Sequence, residues 1–260
     1  MESSEILIVG NYKSSFLIYQ LQEQLSFKDL ELFNENKRLK VLVCPSFIHI
    51  PMCKALVRPP WLNLCGQNCS PYGEGPYTGE VTANQLKELG VDWVIIGHSE
   101  RRHLGSESNE LIMNKVKCAL ESGLEIILCI GENSDERSSG FTADVIEKQI
   151  KDVVYFLGDW SKVVIAYEPV WSFGTVTTVR PEQVIEVKAL IFRLLEKLVN
   201  PGISSQIRFI YGAMPSNPLE FLEKGQLNGY LFSVDPESSG FVQTLLNFLP
   251  NTESKADFSL

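Results

Sequence analysis

The residues that could do chemistry stand just after short apolar runs. Asn11 and Lys13 follow the first run, Gly97-His98-Ser99-Glu100 the fourth, and Glu168-Pro169 the sixth. A carboxylate can take a proton from carbon, an imidazole can handle protons on oxygen, and an ammonium can balance the anion that forms. Taken singly, each has an ordinary explanation as a solvated Lys, a structural His or a surface carboxylate. Their shared place at the ends of strand-like runs sets them apart. The other histidines are His49 and His103. The chain has no HExxH spacing and no CxxC, which argues against a bound metal. It has no GxGxxG and no Walker A sequence, which argues against a nucleotide-phosphate loop.

The elements that must position these residues are legible from periodicity. Strand candidates are Ile6–Val9, Val41–Val43, Leu62–Leu64, Trp93–Ile96, Ile126–Cys129, Val163–Ala166, Phe209–Ile210 and Tyr230–Phe232. Helical patterns lie between most of them, as in Glu110–Leu120 and Val184–Leu198, with Pro181 suited to a first helical turn. Strands alternating with helices imply an α/β fold, either a closed barrel or a doubly wound sheet. In a barrel, the strand C-termini open onto one face, so residues distant in sequence converge there. One domain is expected over residues 1–249, followed by a polar C-terminal tail, 250–260.

Bulk properties narrow the partners. The chain has 260 residues, 44% of them hydrophobic, and a formal net charge of −9. That charge argues against nucleic acid, which needs clustered Lys and Arg. It leaves room for a small phosphorylated substrate at a local basic site. The start, Met1-Glu2-Ser3-Ser4-Glu5, lacks the basic residues and long apolar stretch of a signal peptide. No run approaches the ~18 apolar residues of a membrane span, so no membrane partner is expected. The six cysteines read as reduced, mostly buried thiols of a reducing compartment. Cys65 and Cys69 are close enough in sequence to pair, but nothing demands it.

With these residues in view, the chain resembles the triosephosphate isomerases. Asn11-Tyr12-Lys13 resembles that family's Asn-Trp-Lys. Gly66-Gln67-Asn68 and Tyr77-Thr78-Gly79-Glu80 resemble its third-loop motif, and Trp93 to Arg102 is nearly its fourth-strand signature. Cys129-Ile130-Gly131-Glu132 resembles the fifth, and Ala166 to Trp171 with Gly174-Thr175 resembles the sixth strand and lid. The motifs run in family order to about residue 175. The resemblance implies a single eightfold (β/α) TIM barrel interconverting dihydroxyacetone phosphate and glyceraldehyde 3-phosphate, without cofactor. By the same resemblance, and following the mechanism established for the family, Glu168 is the base at carbon and His98 the neutral electrophile at oxygen. Lys13 supplies positive charge, Glu100 stands behind Lys13 and His98, and Asn11 orients the substrate. Gly174 and Ser233 are expected to contact substrate. The resemblance also implies a cytoplasmic homodimer, with Thr78 reaching the partner subunit's Asn11, and Glu80 and Arg101 pairing across the interface.

Three segments depart from the family pattern. The lid, Pro169 to about Val179, ends Val176-Thr177-Thr178-Val179 in place of Gly-Lys-Thr-Ala; a β-branched residue resists positive φ, so altered lid motion is expected. The loop after the seventh strand reads Tyr211-Gly212-Ala213-Met214-Pro215 in place of Tyr-Gly-Gly-Ser-Val. After the eighth strand, Ser233-Val234-Asp235 replaces the glycine pair that lets backbone approach phosphate. Losing two hydrogen bonds to a charged group would cost about 3–6 kcal/mol, or roughly 10²–10⁴ in kcat/KM. Asp235 would add repulsion, whereas the Ser233 hydroxyl offers a replacement donor. Two readings follow: a working isomerase, or a member with impaired catalysis kept as a binding or regulatory protein or acting on another carbonyl substrate.

Overall fold

A computed structural model describes residues 5–25, 38–56, 62–154, 157, 159–236, 241, 244–245 and 248. Eight parallel strands close into one barrel in sequence order, which decides against the doubly wound alternative. The strands are β1 (Ile6–Asn11), β2 (Leu39–Cys44), β3 (Leu62–Gly66), β4 (Trp93–Ile96), β5 (Glu125–Ile130), β6 (Val163–Tyr167), β7 (Arg208–Tyr211) and β8 (Gly229–Ser233). Each expected strand lies at its expected place, most of them one or two residues longer than the apolar run. The expected tail, 250–260, lies outside the described residues.

The strands read as unbroken apolar runs because both of their faces are buried. Period-two alternation sends one set inward: Leu7 and Val9, Leu42 and Cys44, Cys65, Trp93 and Ile95, Ile127 and Cys129, Val164 and Ala166, Ile210 and Leu231. The alternate set, including Ile8, Val43, Val94, Leu128, Ile165 and Phe209, packs beneath the helices. Packing also settles Cys65 and Cys69. Cys65 belongs to the barrel interior, Cys69 to the outer layer, and both are free thiols.

The outer helices are α1 (Ile18–Leu25), α2 (Ile50–Leu56), α3 (Ala83–Glu88), α4 (Ser99–His103), α5 (Asn109–Glu121), α6 (Ser134–Ser138), α7 (Thr142–Val154), α8 (Pro181–Leu198) and α9 (Pro218–Gly225). The longest, α8, buries Val184, Val187, Ile191, Leu194 and Leu195, one stripe at three- and four-residue spacing. Pro181 occupies its first turn, where a missing N–H costs nothing. α5 starts at Ser108, whose hydroxyl accepts from Leu111 N–H. At the far end of the barrel, Trp93 is fully buried between Lys40, 5.0 Å from the ring, and Arg208, 5.1 Å from it. Arg208 also pairs with Glu125 at 2.8 Å. Chemistry is therefore left to the opposite, C-terminal mouth.

Candidate active site

A cleft of about 580 Å³ opens at that mouth. Asn11, Lys13, His98, Glu100, Glu168, Gly174 and Ser233 all line it. The barrel thus brings together every residue expected to touch substrate or reacting atoms.

β1 delivers the first pair. Asn11 is the last residue of the strand, in register with Cys44 on β2 and Ser233 on β8. The chain then turns sharply, with Lys13 at φ 48. A left-handed backbone on a residue with a Cβ costs about 1–3 kcal/mol and needs surrounding contacts to persist. Here Asn11 Oδ1 accepts from Lys13 N–H at 3.0 Å. Gln67 Nε2 donates to Lys13 O and to Cys44 O, each at 2.8 Å. The turn aims the ammonium into the cleft, where Lys13 Nζ meets Glu100 Oε1 at 2.5 Å. The pair is about a third to a half exposed, so it contributes little to stability. Its consequence is a fixed position for the ammonium.

The β4–α4 junction supplies the imidazole. His98 caps α4, and its Nδ1 accepts from Glu100 N–H at 3.2 Å. An amide N–H can only donate, so Nδ1 carries no proton and the ring's hydrogen sits on Nε2. That nitrogen faces Glu168 Oε1 at 3.1 Å. The Glu100 carboxylate stands 3.8 Å from Nδ1, too far for a hydrogen bond. Beneath, Arg102 clamps the junction by donating to Gly97 O at 2.8 Å, Asn109 Oδ1 at 2.8 Å and Cys129 O at 3.1 Å.

Glu168 follows β6 and is 3% exposed. Its N–H donates to Ile130 O at 2.8 Å. The crossing is so tight that a Cβ on Gly131 would lie 1.8 Å from Glu168 O. Ser99 N–H donates to Glu168 Oε2 at 2.8 Å, and the Ser99 hydroxyl to Oε1 at 3.2 Å. With His98 Nε2–H, three donors hold a buried carboxylate, which compensates its lost hydration. Burial, and then the negative charge of Glu168, pushes the Cys129 thiol well above its ordinary range. A reactive thiolate in the barrel interior near Glu168 is thereby suppressed.

The lid begins at Pro169 on a rigid footing. Trp171 N–H donates to Glu132 O at 3.2 Å, and Trp171 Nε1–H to Tyr167 OH at 3.3 Å. Tyr167 OH in turn donates to the fully buried Glu132 Oε1 at 3.1 Å. Arg137 bonds that same oxygen at 2.6 Å and stacks 4.4 Å from the Trp171 ring. Burial, and then the Glu132 charge, raises the Tyr167 phenol far above its usual range, so it stays a donor. Further along, the left-handed residue is Gly174, at φ 70, whereas Val176 is fully exposed and not among the positive-φ residues. The expected backbone conflict at Val176 is therefore absent, because the turn is made two residues earlier.

The loops after β7 and β8 likewise make no positive-φ demand on their substituted residues. None of Ala213, Met214, Ser233 and Val234 has a positive φ, so the backbone there does not require glycine. Val234 is instead a core residue, 5% exposed, and its N–H donates to Asn11 O at 2.9 Å.

Thr78, Glu80 and Arg101 do not line the cleft of their own chain. Thr78 and Glu80 are exposed on a loop whose Tyr72 and Tyr77 rings stack at 4.3 Å and whose base is closed by Ser70 N–H to Val81 O at 2.8 Å. Arg101 bonds Glu107 of the same chain at 2.7 Å, and Glu107 also takes the buried Lys115 at 2.5 Å.

The contacts that Gln67, Ser99, Arg102 and Gly212 make around the cleft are not legible in the sequence. The first three lie inside motifs recognised in the sequence, but their tasks depend on partners 23 to 69 residues away. Among the described residues, no group of three or more His, Cys, Asp or Glu side chains could hold a metal ion.

The family model described as triosephosphate isomerase matches residues 6–242. A triosephosphate isomerase of Aquifex aeolicus is 37% identical over 238 residues, covering 89% of this chain and 96% of the relative. One from Yarrowia lipolytica is 35% identical, covering 94% of this chain and all of the relative. A cytosolic triosephosphate isomerase of Oryza sativa is 35% identical, covering 90% and 94%.

Proposed function

This chain belongs to the triosephosphate isomerase family, and from that premise we propose how its cleft works. It interconverts dihydroxyacetone phosphate and D-glyceraldehyde 3-phosphate through an enediolate. Glu168 takes the proton from one carbon and returns it to the neighbouring one. His98, with its hydrogen on Nε2, polarises the carbonyl and moves protons between the two oxygens. Lys13, steadied by Glu100, stabilises the negative charge as it develops, and Asn11 orients both Lys13 and substrate. Gly174 carries the lid's contact with the phosphate, and lid closure excludes water from the enediolate. In the open cleft Glu168 is tied to Ser99, so substrate binding must draw the carboxylate away from those donors and over the reacting carbon.

The observation that carries this reading is the pair of hydrogen-bond partners at His98. A ring whose Nδ1 accepts from a helix amide presents a donor to the cleft beside a buried carboxylate, which is the division of labour an enolisation needs. Between a working isomerase and an impaired one, the comparisons favour the first, since the relatives named above are isomerases. A coupled assay of purified protein tests it. Glu168→Gln keeps the shape and removes the base, so kcat should fall by about 10²–10⁴ with little change in KM. Turnover of Glu168→Gln like that of the parent would refute the assignment.

The active form is a homodimer in the cytoplasm. Support comes from exposed apolar side chains on neighbouring loops of one barrel end: Leu17 and Ile18 after β1, Ile48 after β2, Tyr72 and Tyr77 after β3. In the dimer, Thr78 approaches the partner's Asn11, and Glu80 pairs with Arg101. Light scattering at micromolar concentration should give about twice the 29.3 kDa chain mass; a monomer would reject this. Location rests on the cytosolic rice relative. Among the described residues, no helix is long and apolar enough to cross a membrane.

A further inference from the structure

We propose that Gln149 is a positioning residue for the base: its side-chain amide fixes the two peptide units at the end of β5 on which Glu168 and the foot of the lid are hung. The inference rests on the isomerase reading above and adds to it a residue that does not itself line the cleft.

Gln149 lies on α7, whose buried stripe is Ile146, Ile150, Val153 and Val154. Position 149 falls on that same side, three residues after Ile146 and four before Val153. A polar residue in such a stripe needs partners for its amide. Gln149 finds both in one residue. Its Oε1 accepts from Gly131 N–H at 2.9 Å, and its Nε2 donates to Gly131 O at 2.9 Å.

The sheet leaves Gly131 to the helix. β5 ends at Ile130, in register with Tyr167 on β6, so the polar groups of Gly131 lie past the ladder. They belong to two successive peptide units. In the first, between Ile130 and Gly131, the C=O and N–H of a trans peptide point opposite ways. Gln149 holds the N–H, and on the other side Ile130 O accepts from Glu168 N–H at 2.8 Å. In the second, between Gly131 and Glu132, Gln149 holds the C=O, and Glu132 O then accepts from Trp171 N–H in the lid at 3.2 Å. The helix is itself tied to this corner. Arg102 bonds Cys129 O and Asn109 Oδ1, and the Asn109 amide donates to Lys148 O, beside Gln149, at 3.0 Å.

Close contact makes this placement matter. The Glu168 backbone lies against Gly131, where a Cβ would sit 1.8 Å from Glu168 O and 3.4 Å from its Cα. On its other side is Gly212, where a Cβ would sit 3.0 Å from Glu168 Cα. With glycine on both flanks, no side chain there holds the base, and its position follows from where the two glycine backbones are held. Gly212 N–H is fixed by Tyr167 O at 2.7 Å; Gly131 is fixed by Gln149. A displacement of about 1 Å at a reacting group costs about 10² in rate.

The test uses the full chain with Gln149→Met, which keeps length and helix propensity but removes both hydrogen bonds. The same substitution is also made together with Glu168→Gln. In the parent background, kcat in a coupled isomerase assay should fall by about 10- to 100-fold with KM within about threefold. In the Glu168→Gln background, the residual turnover should change by less than about threefold, because the group being positioned is already gone. A folded Gln149→Met protein with kcat within about threefold of the parent would overturn the proposal. So would an equal drop in both backgrounds, which is the mark of a general loosening of the barrel. Should Gln149→Met not fold, Gln149→Glu, which sets a carboxylate against Gly131 O, is read by the same two comparisons; failure of both to fold overturns the proposal in favour of a role in folding alone. A parent that turns over no triose phosphate would count against the isomerase reading instead. Amide hydrogen exchange then decides Gln149: exchange of Glu168 and Trp171 N–H faster by about tenfold in the variant supports the positioning role, and unchanged exchange overturns it.

Discussion

Gly212→Ala probes the placement of the proposed base, Glu168, without changing that residue itself. Gly212 follows β7 and packs against the backbone of the Glu168 segment. A Cβ built there would lie 2.7 Å from Glu168 Cγ, 2.8 Å from Tyr167 O and 3.0 Å from Glu168 Cα. Gly212 is not at positive φ, so alanine suits the backbone and the conflict is purely steric. Carbon atoms rest about 3.5–4.0 Å apart, so the carboxylate arm must retreat by about 1 Å. A misplacement of that size at a reacting group costs about 10² in rate, or about 2.7 kcal/mol of transition-state stabilisation. Overpacking should also lower folding stability by about 1–3 kcal/mol, or about 2–12 °C in Tm. A coupled isomerase assay gives kcat and KM, and calorimetry gives Tm. The expected result is a folded protein with kcat down about a hundredfold and KM changed less. A folded Gly212→Ala protein with kcat within about threefold of the parent would show that the base does not depend on this contact.

Two further outcomes follow from buried groups. Tyr12 is fully buried, with Phe16 at 4.6 Å, and its hydroxyl has no partner among the described residues; an unpaired buried hydroxyl costs about 1–3 kcal/mol. Tyr12→Phe should therefore leave thermal stability unchanged or raise it by up to about 1 kcal/mol, and a clear fall in Tm would mean the hydroxyl is hydrogen-bonded. The thiols should be slow toward a disulfide reagent at pH 8. Burial raises the Cys53 thiol to about 11 and Cys69 to about 12, and it raises Cys118 as well. A raised thiol pKa lowers the thiolate fraction below it, so reactivity should climb only as pH rises toward these values. Cys118, the one cysteine that is not buried, should react first. Rapid labelling of two or more thiols in the native protein would contradict this burial pattern.

Strand positions were readable in the sequence because a barrel strand is buried on both faces. Runs such as Val163–Ala166 and Ile126–Cys129 therefore stand out against the mixed helices around them. The candidate chemistry was readable because a cation, an imidazole and a carboxylate stand at strand ends, as Lys13, His98 and Glu168 do. The close match of whole motifs then indicated which barrel this was. Backbone geometry was less accessible. Residue type alone suggested trouble at Val176 and Val234, but φ at a loop position depends on the turn its neighbours make. Here Gly174 takes the positive φ in the lid, and Val234 serves the core.

Partners across the barrel were beyond the sequence for the same reason. Nothing local in Ser99 announces that it holds Glu168, 69 residues away, or in Gln67 that it props the Lys13 turn. Hydrogen-bond partners are chosen by proximity in space, and closing eight strands into a ring sets that proximity. Sequence alone determined the fold class, the strand positions and the groups available to move protons. The tertiary structure decided which nitrogen of His98 faces Glu168, which donors restrain that carboxylate and which amide at the end of β8 is already engaged, because each depends on distances that exist only once the strands have closed into a ring.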